Sequence, residues 1–206
     1  MSAHESMEQA EHAEHAVHSN KSIALLIAII ALCLAFSETL GKSAQTESIA
    51  KNVEAANLWA FFQAKTIRRT IVQTAAEQAK NSVGADETQK AALAKQIDDW
   101  QKTAARYRSE PETGEGSEQL AGRAKRAEEQ RDLAMNRYHN FEVASAAFQI
   151  AIVLASATII TGMVGLAWIS GVLALGGVVF VGLGLLAPEM FHHMVELMAG
   201  APGAHH

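Results

Sequence analysis

Histidine and glutamate residues recur at helical spacing near the start of the chain, where they could bind a metal ion or respond to pH. His12, His15 and His18 each follow a glutamate by four residues, and on a helix such pairs stabilise each other when the histidine is charged. Imidazole is also a good zinc or copper ligand. Nothing in the segment fixes a ligand geometry, however, so a solvated flexible tail is the competing and favoured interpretation.

A single acidic residue, Glu38, interrupts the first apolar run of the chain. Ionisable residues inside membrane spans are functional candidates by default. Glu38 lies close to the end of the run and four residues before Lys42. We therefore expect it to reach water and to pair with Lys42 along the helix.

Three aromatic residues, Trp59, Phe61 and Phe62, could form a ligand cage or a packed junction between helices. Aromatic clusters mark cores and interfaces more often than ligand sites. The spacing of Trp59 and Phe62 favours the junction, and we expect them to meet aromatics such as Tyr107 or Tyr138 on neighbouring helices. They are therefore predicted to be packing or interaction residues.

Other motifs with chemical potential are scarce. Two basic clusters, at residues 65–69 and 123–126, are interleaved with acidic residues, and the net charge is -5, which does not favour nucleic-acid binding. The lone Cys33 cannot form an intramolecular disulfide. We find no phosphate-binding or dinucleotide glycine loop, no nucleophile elbow and no HExxH motif. The sequence thus predicts neither an enzyme nor a cofactor.

The elements that hold these residues follow from the distribution of apolar side chains, which make up 49% of the chain. They are concentrated at both ends, so a bilayer is the first solvent to consider. The predicted segments are an acidic tail (1–22), a first span (23–40) and a helical extramembrane domain (41–142). Two further spans (143–161 and 169–187) joined by a tight turn follow, and the chain closes with an amphipathic or frayed tail (188–206). A cleaved signal peptide is the alternative for the first span, although the acidic residues before it argue against this.

The polar middle segment has the composition of long exposed helices. We predict one helix over about 43–83, a second over 86–108 that Asp86 caps, a loop at 110–117, and a third helix that Ser117 caps and that continues into the second span. Residues in the first helix recur at alternate spacings of four and three, as in a weak heptad seam: Ile49, Val53, Ala56, Ala60, Gln63, Ile67, Thr70 and Thr74.

Small residues recur in the two closing spans at helical spacing. Ala147, Ala151 and Ala155 repeat every four residues, and Gly177 and Gly184 lie seven apart. Such residues let helix backbones approach closely in lipid. They predict close packing within the hairpin of spans, between copies of the chain, or both.

Two stretches carry a resemblance to a known family: 37–46, which reads SETLGKSAQT, and 56–68, which reads ANLWAFFQAKTIR. With the acidic start, single first span, helical middle and closing hairpin, they resemble the bacterial family named domain of unknown function 4337. The resemblance covers nearly the whole chain. It implies a small integral protein of the bacterial inner membrane and brings no activity, ligand or catalytic residue.

The sequence therefore predicts an all-α, three-span membrane protein with a coiled-coil-like extramembrane domain. We expect a membrane-anchored scaffold or interaction protein that binds no nucleic acid, has the bilayer and its own copies as partners, and keeps its middle domain in the cytoplasm, where basic residues flank the spans. An unknown membrane protein is a further possible partner. The alternatives are a pH- or metal-responsive sensor that acts through the tail, and an accessory subunit of a transport complex.

Overall fold

The computed structural model describes the backbone of residues 3–81 and 86–190, and the side chains of those residues from 21 onward. This part of the chain forms four helices and no strand: α1 (Ala3–Lys80), α2 (Glu87–Arg108), α3 (Ser117–Thr161) and α4 (Val164–Leu186). The predicted all-α class is confirmed for the described residues.

Both α1 and α3 are unusually long because no proline interrupts them. Residues 43–80 of α1 also lack glycine, and they are rich in alanine, glutamine, glutamate and lysine, which are good helix formers. Gly41 is tolerated within α1, where its backbone lies close to Cβ of Phe141. The predicted continuation of the third helix into the apolar run that follows is confirmed by α3.

The start of α2 follows the predicted cap. Asp86 has an extended backbone, and its carboxylate accepts a hydrogen bond of 2.7 Å from the Gln89 backbone amide. That bond satisfies one of the amides that a helix leaves unpaired in its first turn.

The predicted capping role of Ser117 is wrong. Its hydroxyl donates to the Arg108 carbonyl at 3.2 Å, so it ties the end of α2 to the start of α3. Gly116 has to be glycine at this crossing, because an added Cβ would lie 2.5 Å from the Glu110 nitrogen and 2.8 Å from Cα of Ser109. The loop is therefore more tightly packed than its composition indicates.

The turn between α3 and α4 is shorter than the predicted turn over 162–165 or beyond. Only Gly162 and Met163 separate the helices. The Gly162 amide still donates to the Thr158 carbonyl, and Thr161 Oγ1 accepts from the Met163 amide. These bonds close the end of α3, so α4 begins at Val164, before the predicted start of the third span.

Three of the helices, α1, α3 and α4, include a stretch that is long and apolar enough to cross a membrane. The chain divides into two compact units. Unit 1 comprises Met1–Glu47 and Leu133–His206, and unit 2 comprises Ser48–Asp132. Unit 1 contains these apolar stretches, and unit 2 corresponds to most of the predicted extramembrane domain.

Candidate interaction surface

Unit 2 is held together by one face of α1 that packs against α3. Ala55 and Leu58 of α1 are buried with Leu120, Ala124 and Ala127 of α3. The small alanines let the two helices approach closely, since interiors pack without voids. This buried face of α1 is not the predicted heptad seam.

Trp59 and Phe62 lie at the edge of that core. Their rings meet edge to face with centroids 5.4 Å apart, and both pack against the buried cluster. The indole Nε1 donates a 2.8 Å hydrogen bond to Glu128. The predicted packing role agrees with this placement. The expected ring contacts with Tyr107 or Tyr138 are not found among the described residues. The neighbours on α3 are instead alanines, a leucine and Glu128. Phe61 points outward and is 62% exposed.

The basic cluster on α1 is used within unit 2. Lys65 is 13% exposed, and its ammonium lies 4.0 Å from Glu110, 3.6 Å from Glu115 and 5.5 Å from the centre of the Tyr107 ring. Cations over aromatic faces are attracted to the ring electrons. Lys65 therefore links α1 to the loop between α2 and α3.

Two carboxylates of this loop region are stabilised in the charged form. Arg106 donates to Glu110 at 2.9 Å and holds the pKa of that carboxyl below its ordinary value, with a smaller contribution from Lys65. Arg108 donates to Glu118 at 2.8 Å and lowers the pKa of Glu118 likewise. Hydrogen bonds to an ionised group favour that ionised form.

The opposite face of α1 has no partner within the described part of unit 2. The eight seam residues are all exposed, and the structure adds Ile71, which the alternating spacing missed. We call these nine uncharged residues the outer face of α1: Ile49, Val53, Ala56, Ala60, Gln63, Ile67, Thr70, Ile71 and Thr74. It extends for about 37 Å at 1.5 Å per residue. It is the best candidate for an interaction surface in unit 2.

In unit 1 the small residues of the closing spans pack inside the chain. Ala151 and Ala155 are fully buried, and the Ser170 hydroxyl donates to the Ala151 carbonyl at 2.7 Å. A Cβ on Gly177 would lie 2.7 Å from the Phe148 ring, and one on Gly184 would lie 2.8 Å from the Phe141 ring. Of the packing predicted for these small residues, the structure shows the packing within the chain. Ala147 is only partly buried. The buried Ala151, Ala155, Gly177 and Gly184 therefore do not offer a free face to a second copy.

The expected pairing of Glu38 with Lys42 is not seen. Glu38 instead accepts a long contact of 3.5 Å from the Gln149 side chain, on α3. Nearby, the Tyr138 hydroxyl donates to Glu142 at 3.3 Å, and the negative charge of Glu142 raises the pKa of that hydroxyl. The buried Ser37 hydroxyl donates to the Phe141 carbonyl at 2.9 Å. Polar groups of α1 and α3 therefore meet where the apolar stretch of α1 ends.

The predicted metal ligands His12, His15 and His18 fall outside the described side chains. Among the side chains that are described, no group of three or more histidine, cysteine, aspartate or glutamate residues could hold a metal ion. The tail hypothesis stays a prediction.

Residues 19–187 match the family model described as domain of unknown function, DUF4337. The chain belongs to this family. No curated protein and no solved structure matches the chain. The match to DUF4337 confirms the resemblance seen in the sequence, and it runs from the end of the tail through α4.

Proposed function

We propose that this DUF4337 protein is a membrane-anchored helical scaffold that self-associates through the outer face of α1. In this proposal the three apolar stretches cross the inner membrane of a bacterium, and unit 2 lies in the cytoplasm. The oligomer is a coiled-coil-like bundle of α1 helices. The three long apolar helices support the membrane placement. The family description names no activity.

One observation carries the proposal: a continuous helix face of apolar or uncharged residues is exposed. Ile49, Val53, Ile67 and Ile71 are each more than half exposed. Contiguous exposed apolar surface on a folded domain marks an interaction site. The heptad spacing of this face is the spacing at which two helices pack side by side.

A second copy of the chain is the occupant that this face fits best. It carries no charge of its own, so two identical faces do not repel each other. Ala56 and Ala60 allow two backbones to approach closely at the centre of the face. Isoleucine and valine at the other positions provide the side chains that insert between those of the neighbour.

The membrane anchor compensates for the weakness of the seam. Short or polar-diluted helical seams associate poorly in water. Copies held in one bilayer meet at a high effective concentration. Because the outer face follows an apolar stretch on the same helix, copies inserted with the same topology present parallel faces in the same register.

Disulfide formation between matched cysteine pairs tests this assembly. In a Cys33→Ala background, we expect Val53→Cys and Ile67→Cys to form dimers under mild oxidation in native membranes. Glu54→Cys and Arg68→Cys are the adjacent controls, since they are exposed but lie off the face. They should form few dimers. Equal yields at all four positions, or none at Val53 and Ile67, would count against the proposal.

Cysteine labelling tests the topology. Glu112 is exposed in the loop between α2 and α3, whereas Ser117 at the end of the same loop is only 3% exposed and unsuitable. In the Cys33→Ala background, Glu112→Cys should resist an impermeant maleimide in intact cells and react after lysis. Labelling in intact cells would place unit 2 outside the cytoplasm.

A further inference from the structure

A cavity of about 320 Å³ opens in unit 1 beside the end of the apolar stretch of α1. Its wall carries groups of both charges. Glu38 and Lys42 come from α1, and Glu142 comes from α3 together with the hydroxyl of Tyr138. Glu38, Lys42 and Glu142 are exposed, so a ligand can reach them from the surface.

These charged groups are incompletely paired. Within the described residues, Lys42 has no ion pair. Among the described side chains, Glu38 accepts a single contact, 3.5 Å from Gln149. Glu142 accepts a 3.3 Å hydrogen bond from Tyr138 and lies 3.6 Å from the His139 imidazole. Charge-assisted hydrogen bonds are normally shorter, about 2.7–2.9 Å for nitrogen to oxygen. Both carboxylates therefore keep the capacity to accept stronger N–H donors.

The position of the cavity indicates what could supply those donors. Glu38 lies in the last turn of the predicted first span, Lys42 follows that span, and Glu142 directly precedes the predicted second span. If the spans cross the bilayer as proposed above, the cavity lies at the level of the lipid headgroups. Lipids are then the most abundant ligands available to it.

We propose that this cavity binds a phospholipid headgroup that carries both a phosphate and a primary ammonium group, as in phosphatidylethanolamine. Lys42 pairs with the phosphate, and the carboxylates of Glu38 and Glu142 accept from the ammonium. A choline headgroup has no N–H to donate. A headgroup with only negative charge meets two carboxylates against one ammonium, so the charge of the wall disfavours it.

The proposal depends on the proposed membrane placement, and it adds a specific lipid to it. It does not depend on assembly through the outer face of α1, which lies in unit 2. The two can therefore fail separately.

A graded series of lipids tests the proposal on the wild-type protein. The full chain is placed in nanodiscs that contain equal amounts of phosphatidylcholine and one competitor lipid. The protein is then released gently from the nanodiscs, and the lipids that stay bound to it are identified by native mass spectrometry. The competitors are phosphatidylethanolamine and its N-methyl and N,N-dimethyl forms. We expect about a tenfold preference for phosphatidylethanolamine, the size of one good hydrogen-bonded charge pair. The preference should fall with each methyl group.

Equal retention across the methyl series overturns the proposal without any variant. A further arm uses phosphatidylglycerol as the competitor. Stronger retention of phosphatidylglycerol than of phosphatidylethanolamine also overturns the proposal, because the site would then recognise phosphate alone. Neither result depends on whether a substituted protein folds.

Variants then assign the preference to this cavity. Glu38→Gln with Glu142→Gln should reduce the preference to less than twofold, and Lys42→Gln should reduce retention of both lipids. Arg137→Gln is the matched control, since Arg137 lines a different cavity of unit 1 with Leu40 and Leu185. A preference that survives the double carboxylate change, or that disappears with Arg137→Gln, overturns the assignment.

The cross-linking assay on the same samples separates this inference from the proposed function. Cross-linking at Ile67→Cys without a lipid preference would support the proposed assembly and overturn the lipid site. A lipid preference without cross-linking would support the lipid site and overturn the proposed assembly.

Discussion

The indole Nε1 of Trp59 and the Glu128 carboxylate are 2.8 Å apart and joined by a hydrogen bond, although 69 residues separate them in the sequence. This bond links α1 to α3 beside the buried cluster of unit 2. Hydrogen bonds to a charged group are stronger than those between neutral groups. The Trp59 side chain thus combines ring packing with a directional contact.

We expect Trp59→Ala to destabilise the protein by about 3 kcal/mol, the usual cost of removing a large aromatic from a packed site. Trp59→Phe keeps a ring and loses the donor, so it should cost less, about 1 kcal/mol. Thermal unfolding of the full chain in detergent, followed by circular dichroism, measures both. Phe61→Ala is the control, because Phe61 is exposed and should be nearly neutral. Equal effects of Phe61→Ala and Trp59→Ala would contradict the packing described here.

The two adjacent glycines of α4 make a matched pair. A Cβ on Gly177 would lie 2.7–3.0 Å from three atoms of the Phe148 ring, whereas one on Gly176 would meet nothing within 4 Å. We predict that Gly177→Ala destabilises the hairpin by about 1–3 kcal/mol through overpacking. Gly176→Ala should be neutral or stabilising, because alanine is the better helix former by about 1 kcal/mol.

Unfolding of the two variants in nanodiscs would show the difference. The double variant Gly177→Ala with Phe148→Leu should recover part of the loss, since neighbouring substitutions are not additive when one relieves a clash with the other. If Gly176→Ala is the more harmful change, α4 faces α3 with a different surface.

The helices could be predicted well because their signals are local. The Asp86 cap, the end of α2 at Arg108 and the continuity of α3 depend on residues close together in the sequence. The turn before α4 was predicted too long. Glycine at 165 suggested a loop, but Gly162 and Met163 were sufficient to reverse the chain.

The faces of α1 could not be assigned from its own sequence. Alanines and aliphatic residues occur on both sides of this helix, so periodicity alone does not tell which side is buried. The large rings of Trp59 and Phe62 and the small residues of α3 decide this in the folded chain, and they leave Ile67 and Ile71 exposed. The coiled-coil role of the heptad spacing stays a prediction, and the structure adds that the residues at this spacing are exposed.

Contacts between distant residues were also missed. Glu38 was expected to pair with its neighbour Lys42, whereas its partner Gln149 is 111 residues away. The cavity beside the end of the apolar stretch of α1 depends on this meeting of α1 and α3 and on Glu142, which no spacing rule singled out. Its other α3 residue, Tyr138, was expected to meet Trp59 or Phe62 instead.

The hydrogen bond between Asp86 and the Gln89 amide should stabilise the first turn of α2. Asp86→Ala should weaken the first turn of α2 by about 1 kcal/mol, because the Gln89 amide loses its acceptor. Asp86→Ser should retain most of the stability, since serine is an equally good cap. Hydrogen exchange, read at the first turn of α2, is the appropriate measurement. Unchanged protection in Asp86→Ala would show that the cap contributes little.

The loop carboxylate Glu110 predicts how stability depends on pH. Its pKa in the folded protein is lowered from the ordinary value of 4.5, first by the Arg106 hydrogen bond. A group with a lowered folded pKa stabilises the fold above its unfolded pKa, and this contribution is lost as the pH falls through the folded value. The melting temperature should therefore decrease as the pH is lowered below about 4.5. Glu110→Gln should melt lower at neutral pH and lose less on acidification, whereas Glu112→Gln, exposed in the same loop, should follow the wild type. Identical pH profiles for wild type and Glu110→Gln would mean that the Arg106 pair adds no stability. A loss of stability for Glu110→Gln that is the same at every pH would assign the effect to loop geometry instead of charge.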